Sequence, residues 1–254
     1  RDPDAQATGD GPALRVTFER QRPCTRQAVH RIPPRVTAAP PAPFPPLPPT
    51  APGPEALTPE EQLETFAVAE GFDASLCASE AHGVVNPTQI AWDPSGRLYV
   101  ACSPSYPQTH ANAPGRDYIQ VLEDRDGDGR ADTHWRWAEG LRMVQGVEPG
   151  AGGAFVCDFD QLLHLSDTDQ DGRADRRRVL FSGFGVGDTH QLINSVCYGP
   201  NGALWFGQGL HAMSRVETPW GIARLDRAGL WRLNLRSLRL EGFFGGGMAG
   251  ANTW

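Results

Sequence analysis

The sequence contains no lysine; all 23 of its basic residues are arginine. We read this as a compositional bias of the coding genome, not as a functional signal. No GxxxxGK[ST] phosphate loop and no GxSxG nucleophile elbow occurs. The glycine runs GFGVGD and FFGGGMAG lack the strand–helix context a phosphate loop needs. Cysteine is scarce and spread out, at Cys24, Cys77, Cys102, Cys157 and Cys197. No two of them make a CxxC, which excludes a zinc ribbon, a redox pair and a CxxCH haem attachment in this stretch. No apolar run approaches the ~20 residues of a membrane helix, so no membrane span is expected here. No secretory signal is visible. The chain opens RDPD, without Met, and stops at ANTW; the expectation is a piece of a longer protein.

Net charge is −7, but eight of the 30 acidic residues fall in two short stretches. The rest is close to balanced, so no attraction to nucleic acid or to an anionic membrane is implied.

Those two stretches are DRDGDGRAD (124–132) and DTDQDGRAD (167–175), 43 residues apart. Aspartate recurs at the first, third, fifth and ninth places: Asp124, Asp126, Asp128 and Asp132, then Asp167, Asp169, Asp171 and Asp175. Carboxylates at alternate positions of a tight loop converge on one point. Gly129 and Gly172 permit the sharp turn, because glycine has no Cβ to oppose a positive φ. Hard oxygen ligands so arranged suit Ca²⁺. An EF-hand is excluded, since its twelfth position holds Trp135 and Arg178 instead of Glu, and the flanks read as strands. The expected ligands are the eight aspartates and the backbone carbonyls of Arg130 and Arg173. The bland alternative is a solvated acidic turn. Two copies in one register, each between strands, favour calcium in a structural role.

Organisation follows from proline and from hairpin signals. Residues 1–54 read as an Arg/Pro-rich disordered segment and linker, with 11 prolines between 31 and 54. An SH3-type ligand is the less favoured reading of that stretch. ALRVTFER (13–20) is a candidate short strand. LTPEEQLETF (57–66) reads as one short helix, with Thr58 as N-cap and Glu61 completing a capping box. Strands then take over. QIAWDPSGRLYVAC (89–102) and SVCYGPNGALWFGQG (195–209) are hairpins, and GAGGAFVCDFDQLLHL (150–165) is a degenerate copy. Gly96, Gly153 and Gly202 mark the turns, and GLWRLNLRSLRLEGF (229–243) reads as one further hairpin. Strand-rich units recurring every ~40–50 residues are the mark of a β-propeller. The expected fold is therefore all-β, with about four blades over residues 55–254 and six in the full protein.

GDTHQLINSVCYGPNGALWFGQG (187–209) is the stretch most suggestive of chemistry. His190 precedes an inner strand, where propellers present residues to the central channel, and a neutral imidazole there suits a general base. Asp188, Gln191, Asn194 and Gln208 are hydrogen-bonding candidates beside it. The bland alternative is a structural histidine bonding a loop carbonyl. His164 reads as packing, and His134 as part of a solvated strand face.

Taken in order, LTPEEQLETFAVAEGFDASLCASE, NPTQIAWDPSGRLYVAC, VLEDRDGDGRADTHWRWAEGL, VLFSGFGVGDTHQLINSVCYGPNGALWFGQG and SRVETPWGIARLDRAGLWRLNLRSLRLEGFF resemble a known family. It is the N-terminal domain of bacterial proteins described as membrane-bound dehydrogenases, similar to the glucose and sorbosone dehydrogenases, six-bladed propellers that use pyrroloquinoline quinone (PQQ). The resemblance implies a PQQ-dependent oxidation of a sugar or other alcohol, with a cytochrome c as electron acceptor. It implies a periplasmic or other extracytoplasmic location, with membrane association of the full protein. His190, ahead of Gly199-Pro200-Asn201-Gly202, matches the catalytic base; Leu192 and Ile193 stand where that family has glycines. Gln145, Asp188, Asn194 and Gln208 are the expected cofactor contacts. The cations that clamp the quinone carboxylates are expected in later blades. The alternative is a non-catalytic, calcium-stabilised propeller that binds a glycan or a protein partner.

Overall fold

Short apolar strands separated by tight turns dictate the architecture. The computed structural model describes residues 56–109 and 113–245, so the segment and linker expected over 1–54 lie outside the described residues. The compact unit starts at Ala56. Helix α1, Pro59–Glu64, opens it. Its capping box is formed: Glu61 N–H donates to Thr58 Oγ1 (3.2 Å) and Thr58 N–H to Glu61 Oε2 (2.8 Å).

Three four-stranded antiparallel sheets follow. The first pairs β1 (Pro87–Trp92), β2 (Leu98–Cys102), β3 (Asp117–Glu123) and β4 (Thr133–Leu141) in chain order. The second does the same with β5 (Val144–Gly150), β6 (Gly153–Asp158), β7 (Gln161–Ser166) and β8 (Arg176–Ser182). The third contains β9 (Asn194–Tyr198), β10 (Leu204–Gln208), β13 (Gly229–Asn234) and β14 (Arg239–Gly245). Between β10 and β13 the chain leaves to form a separate two-stranded hairpin, β11 (Met213–Thr218) with β12 (Gly221–Asp226). The described residues thus make three four-stranded sheets and a hairpin, where about four blades were expected. The 229–243 hairpin is the outer half of the third sheet; β10 pairs directly with β13, from Leu204↔Leu233 to Gln208↔Gly229.

The turns explain the periodicity. Asp93 Oδ1 accepts from the Ser95 and Arg97 amides (both 2.9 Å), and Gly96 takes φ +87. Gly202 takes φ +72 in the matching β9–β10 turn. In the middle copy the left-handed residues are Ala151 (φ 54) and Gly152 (φ 77), a two-residue turn whose twist suits a hairpin. Gly153, expected to match Gly96, is small for another reason: a Cβ there would lie 1.9 Å from the Leu165 carbonyl oxygen.

Packing is two-sided. β2 is buried along its whole length. Tyr99 and Ala101 pack with Val147, Val156 and Leu163 of the second sheet, while Leu98, Val100 and Cys102 face Cys77, Ala78 and Val84. The second sheet meets the third through Phe155, Leu162 and Phe181 against Phe206, Trp231 and Leu233. A strand buried on both faces reads as a continuous apolar run instead of an alternating one. This is why LYVAC shows no period.

The first strands of the three sheets lie side by side. Thr88 Oγ1 donates to Val144 O (2.8 Å), tying β1 to β5. Gln89 reaches past β5 to β9: its Nε2 donates to Val196 O (2.8 Å), and its Oε1 accepts from Val196 N–H (3.1 Å). Gly146 makes this possible, since a Cβ there would come 2.8 Å from Gln89 Oε1. Gln89→Ala strips Val196 of both backbone partners, with an expected loss of about 2–4 kcal/mol. Urea unfolding checks this as a lower midpoint at an unchanged m-value.

Candidate functional site

The two nonapeptides form the β3–β4 and β7–β8 turns. Their local geometry is the same. The first aspartate of each loop accepts two backbone N–H bonds: Asp124 from Gly127 and Gly129 (2.8 and 2.9 Å), Asp167 from Gln170 and Gly172 (2.7 and 2.9 Å). These bonds pull the next two carboxylates inward. One oxygen each from Asp124, Asp126 and Asp128 lies within 4.8 Å of the others, and Asp167, Asp169 and Asp171 repeat this. The Gly129 and Gly127 amides hold the Asp124 carboxyl below the usual aspartate range, which keeps it ionised. Asp132 and Asp175 stand outside these groups of three. Asp132 accepts from Arg125 N–H (2.6 Å) and Asp175 from Thr168 N–H (2.9 Å), closing each loop at its base. Arg130 and Arg173 donate their amides to Asp128 and Asp171 (2.8 Å each).

Each loop also docks on what precedes it. The eighth residue, alanine in both copies, donates its N–H outward: Ala131 to Cys77 O (3.0 Å) and Ala174 to Trp137 O (2.6 Å). Trp135 Nε1 donates to Gly172 O (2.7 Å) from the neighbouring sheet. A nonapeptide is therefore both a carboxylate cage and a clasp between units.

His190 lies at the other end of the sheets. Neighbouring strands are antiparallel, so the β1–β2 and β3–β4 turns share one end, and the segments that lead into β5 and β9 share the opposite one. His190 sits in a short 3₁₀ turn, Thr189–Gln191, just before β9. Asp188 caps this turn. Its Oδ1 accepts from His190 N–H (3.0 Å) and lies 2.8 Å from His190 Nδ1. The backbone N–H and then the ring hold the Asp188 carboxyl below its ordinary value. An ionised Asp188 accepts the Nδ1 proton of the imidazole and so orients the ring.

Residues from three sheets meet here. The loop after β2 brings Tyr106 edge-on to His190 (centroids 5.4 Å, 79°), and Thr189 Oγ1 donates to Pro107 O. Asp117, fully buried, anchors that loop by accepting from Ser103 Oγ (2.6 Å) and Ser105 N–H (3.0 Å), and it reaches β5 through Val144 N–H (3.0 Å). Gln145 is the second residue of β5 and Asn194 the first of β9. Gln145 Nε2 and Asn194 Oδ1 are both sealed from solvent without a hydrogen-bond partner among the described residues. Sequence reasoning missed Tyr106 and Asp117. The aspartate carries a signal, as an acid at the start of the otherwise apolar strand DYIQVLE; Tyr106 carries none.

Gln208 was expected to touch the cofactor, and the structure corrects this. It is fully buried. Its Nε2 donates to Ala212 O, Leu225 O and Arg227 O (3.0, 3.1 and 2.7 Å). Its Oε1 accepts from Ser214 Oγ (2.6 Å) and Trp231 Nε1 (2.9 Å). Both ends of the amide are consumed in locking the β11–β12 hairpin to the third sheet. Leu192 and Ile193 likewise turn into the core, each 1% exposed. His164 packs on Phe155 (4.9 Å) with Nε2 3.2 Å from Gly150 O. Gln208→Leu keeps the bulk, leaves Trp231 Nε1 without its acceptor and removes a donor from three carbonyls, of which Ala212 O retains the Arg227 N–H. The expected cost is about 3 kcal/mol, seen as a fall in Tm.

No curated protein matches the chain at a significant level. A family profile does match, over residues 58–248, from the N-cap of α1 through the whole of the third sheet. The chain therefore belongs to the family described as a domain of unknown function, DUF7133.

Proposed function

We propose that this is an oxidoreductase domain acting on a sugar or other alcohol, with His190 as the base. The observation that carries the reading is the Asp188–His190 pair, 2.8 Å apart, at the same end of the sheets as the orphaned amide atoms of Gln145 and Asn194. A sealed donor and a sealed acceptor without protein partners call for polar ligand atoms, because leaving them bare costs about 1–3 kcal/mol each. The Gln145 amide N–H suits a quinone or carboxylate oxygen of PQQ, the cofactor of the dehydrogenases this sequence resembles, and Asn194 Oδ1 suits an N–H or O–H group of the cofactor or the alcohol. PQQ, when bound, supplies a two-electron acceptor. Gln145 and Asn194 are the residues that would hold it. Asp188 fixes the imidazole, and Nε2 takes the hydroxyl proton of the alcohol. Tyr106 and the Asp117-anchored loop keep the ring in place.

The test is to add PQQ and Ca²⁺ to the full-length protein and follow dye reduction over a panel of sugars and alcohols. Dye reduction is expected, with His190→Ala lowering kcat by about 10²–10⁴-fold. Folded protein that neither binds PQQ nor reduces dye sinks the reading and leaves a non-catalytic propeller that binds a glycan or protein.

The nonapeptides hold calcium in this proposal, as staples between units and not as part of the reaction. Their support is the repeated inward turn of three carboxylates. Ca²⁺ is expected to raise Tm and chelation to lower it, with Asp126→Asn plus Asp169→Asn abolishing the difference. The sign with pH follows from protons competing with the metal. Asp124 is held below its ordinary value, so the calcium effect persists at about pH 5 and disappears only as pH falls below about 4. Melting curves with and without chelator across that range check it.

A further inference from the structure

A cleft of about 350 Å³ opens between the first and second sheets, at the nonapeptide end. It is remote from His190 by topology, since its walls are the β1–β2 turn, the β5–β6 turn and the start of the second nonapeptide. Its volume is at the low end of ligand pockets, suited to one or two sugar rings.

Three aromatic side chains line it: Tyr99, Trp135 and Trp137. Tyr99 and Trp137 meet edge to face at 5.4 Å, and Trp135 is pinned by its bond to Gly172 O, so the platform is rigid. The Gly150–Gly153 turn also lines the cleft, and in it Ala151 carries the largest side chain. No long side chain from that turn fills the space. The first sheet's matching turn carries Arg97 instead, which lines the same cleft.

The polar groups narrow the ligand class. Tyr99 is 5% exposed, and its hydroxyl makes no hydrogen bond among the described residues although it is not sealed from the cleft. Arg97 is neutralised by Asp93, with Nη2 2.6 Å from Oδ2, and keeps further N–H groups for a ligand. Asp167 adds an acceptor already held by two backbone amides. With Arg97 offset by Asp93 and Asp167 belonging to the loop proposed to hold calcium, the lining offers no unpaired cation for phosphates or acidic sugars. A purely apolar ligand would bury the guanidinium and carboxylates without compensation. What suits aromatic faces, a hydroxyl, a donor fork and carboxylate acceptors together is a flat, uncharged, many-hydroxyl ring.

The geometry points to a neutral-saccharide-binding cleft between the first two sheets, separate from the His190 end and independent of the dehydrogenase reading. The test titrates the full-length chain with maltose, cellobiose, laminaribiose and xylobiose, read by tryptophan fluorescence and saturation-transfer NMR. Digalacturonate and chitobiosamine serve as anionic and cationic arms. At least one neutral disaccharide is expected to bind. Tyr99→Phe and Arg97→Gln should each weaken it by about tenfold with the melting temperature retained, and His190→Ala should leave it unchanged. The inference is overturned if no neutral sugar binds, if a charged arm binds more tightly, or if both cleft variants bind like the parent. Loss of binding in His190→Ala would place the sugar at the other end and overturn it too.

Discussion

The arrangement depends on one side chain crossing between sheets. Gln89, on the first strand of the first sheet, pairs with both backbone groups of Val196, on the first strand of the third. An amide used at both ends mimics a stretch of strand ladder, so the two strands are registered without being neighbours in any sheet. The crossing needs Gly146 beneath it, and that requirement fixes where β5 runs. With the inner strands set, the aromatic and aliphatic layers between sheets are determined: Val196 already lies in the layer that joins the second and third sheets.

The two ends of the sheets are stabilised by different chemistry. At the His190 end the devices are buried polar anchors: Asp117, Asp158 and Gln208, each satisfied by backbone or side-chain groups of a neighbouring segment. Burial pushes the Asp158 carboxyl up, while the Arg142 amide and Arg177 guanidinium pull the other way. At the opposite end the loops are exposed and acidic, and they grip their neighbours through backbone amides. Rigid anchors would suit the proposed base. Exposed carboxylates would suit the proposed calcium.

Much of this was legible in the sequence because it is local. The capping box at Thr58 and Glu61, the D-P-S-G turn and the two acidic loops depend on residues a few positions apart, and they fold as their residue types dictate. The sheet membership of β13 and β14 was not legible: GLWRLNLRSLRLEGF has the same hairpin signature whether it founds a sheet or completes one, and the pairing with β10 is made across an insertion. Gln208 failed for a related reason. A glutamine at the end of a strand beside a candidate base looks like a ligand contact, and only the tertiary structure shows carbonyls, a hydroxyl and an indole already converging on it. Gly153 was placed one residue off because a two-residue turn with Ala151 in the left-handed region does not announce itself. The pairing of Asp188 with His190 was within reach, since a short capped turn puts the two side chains on one side. Tyr106 was not, because its place depends on a loop from another sheet.

The β11–β12 hairpin leaves and re-enters the third sheet at Gln208 and Gly229, which face each other in the ladder. Gln208 holds the carbonyls at the neck of that excursion, Ala212 on the way out and Leu225 and Arg227 on the way back. Beyond the neck the hairpin still gives Val216 to the core layer that holds Phe206 and Trp231. Trp220 and Ile222 at the tip are 58% and 54% exposed and make no demand on the core. Only the tip is thus free to vary in length or composition: Val216 and Leu225 tie the hairpin's base to the core, and one amide closes its collar.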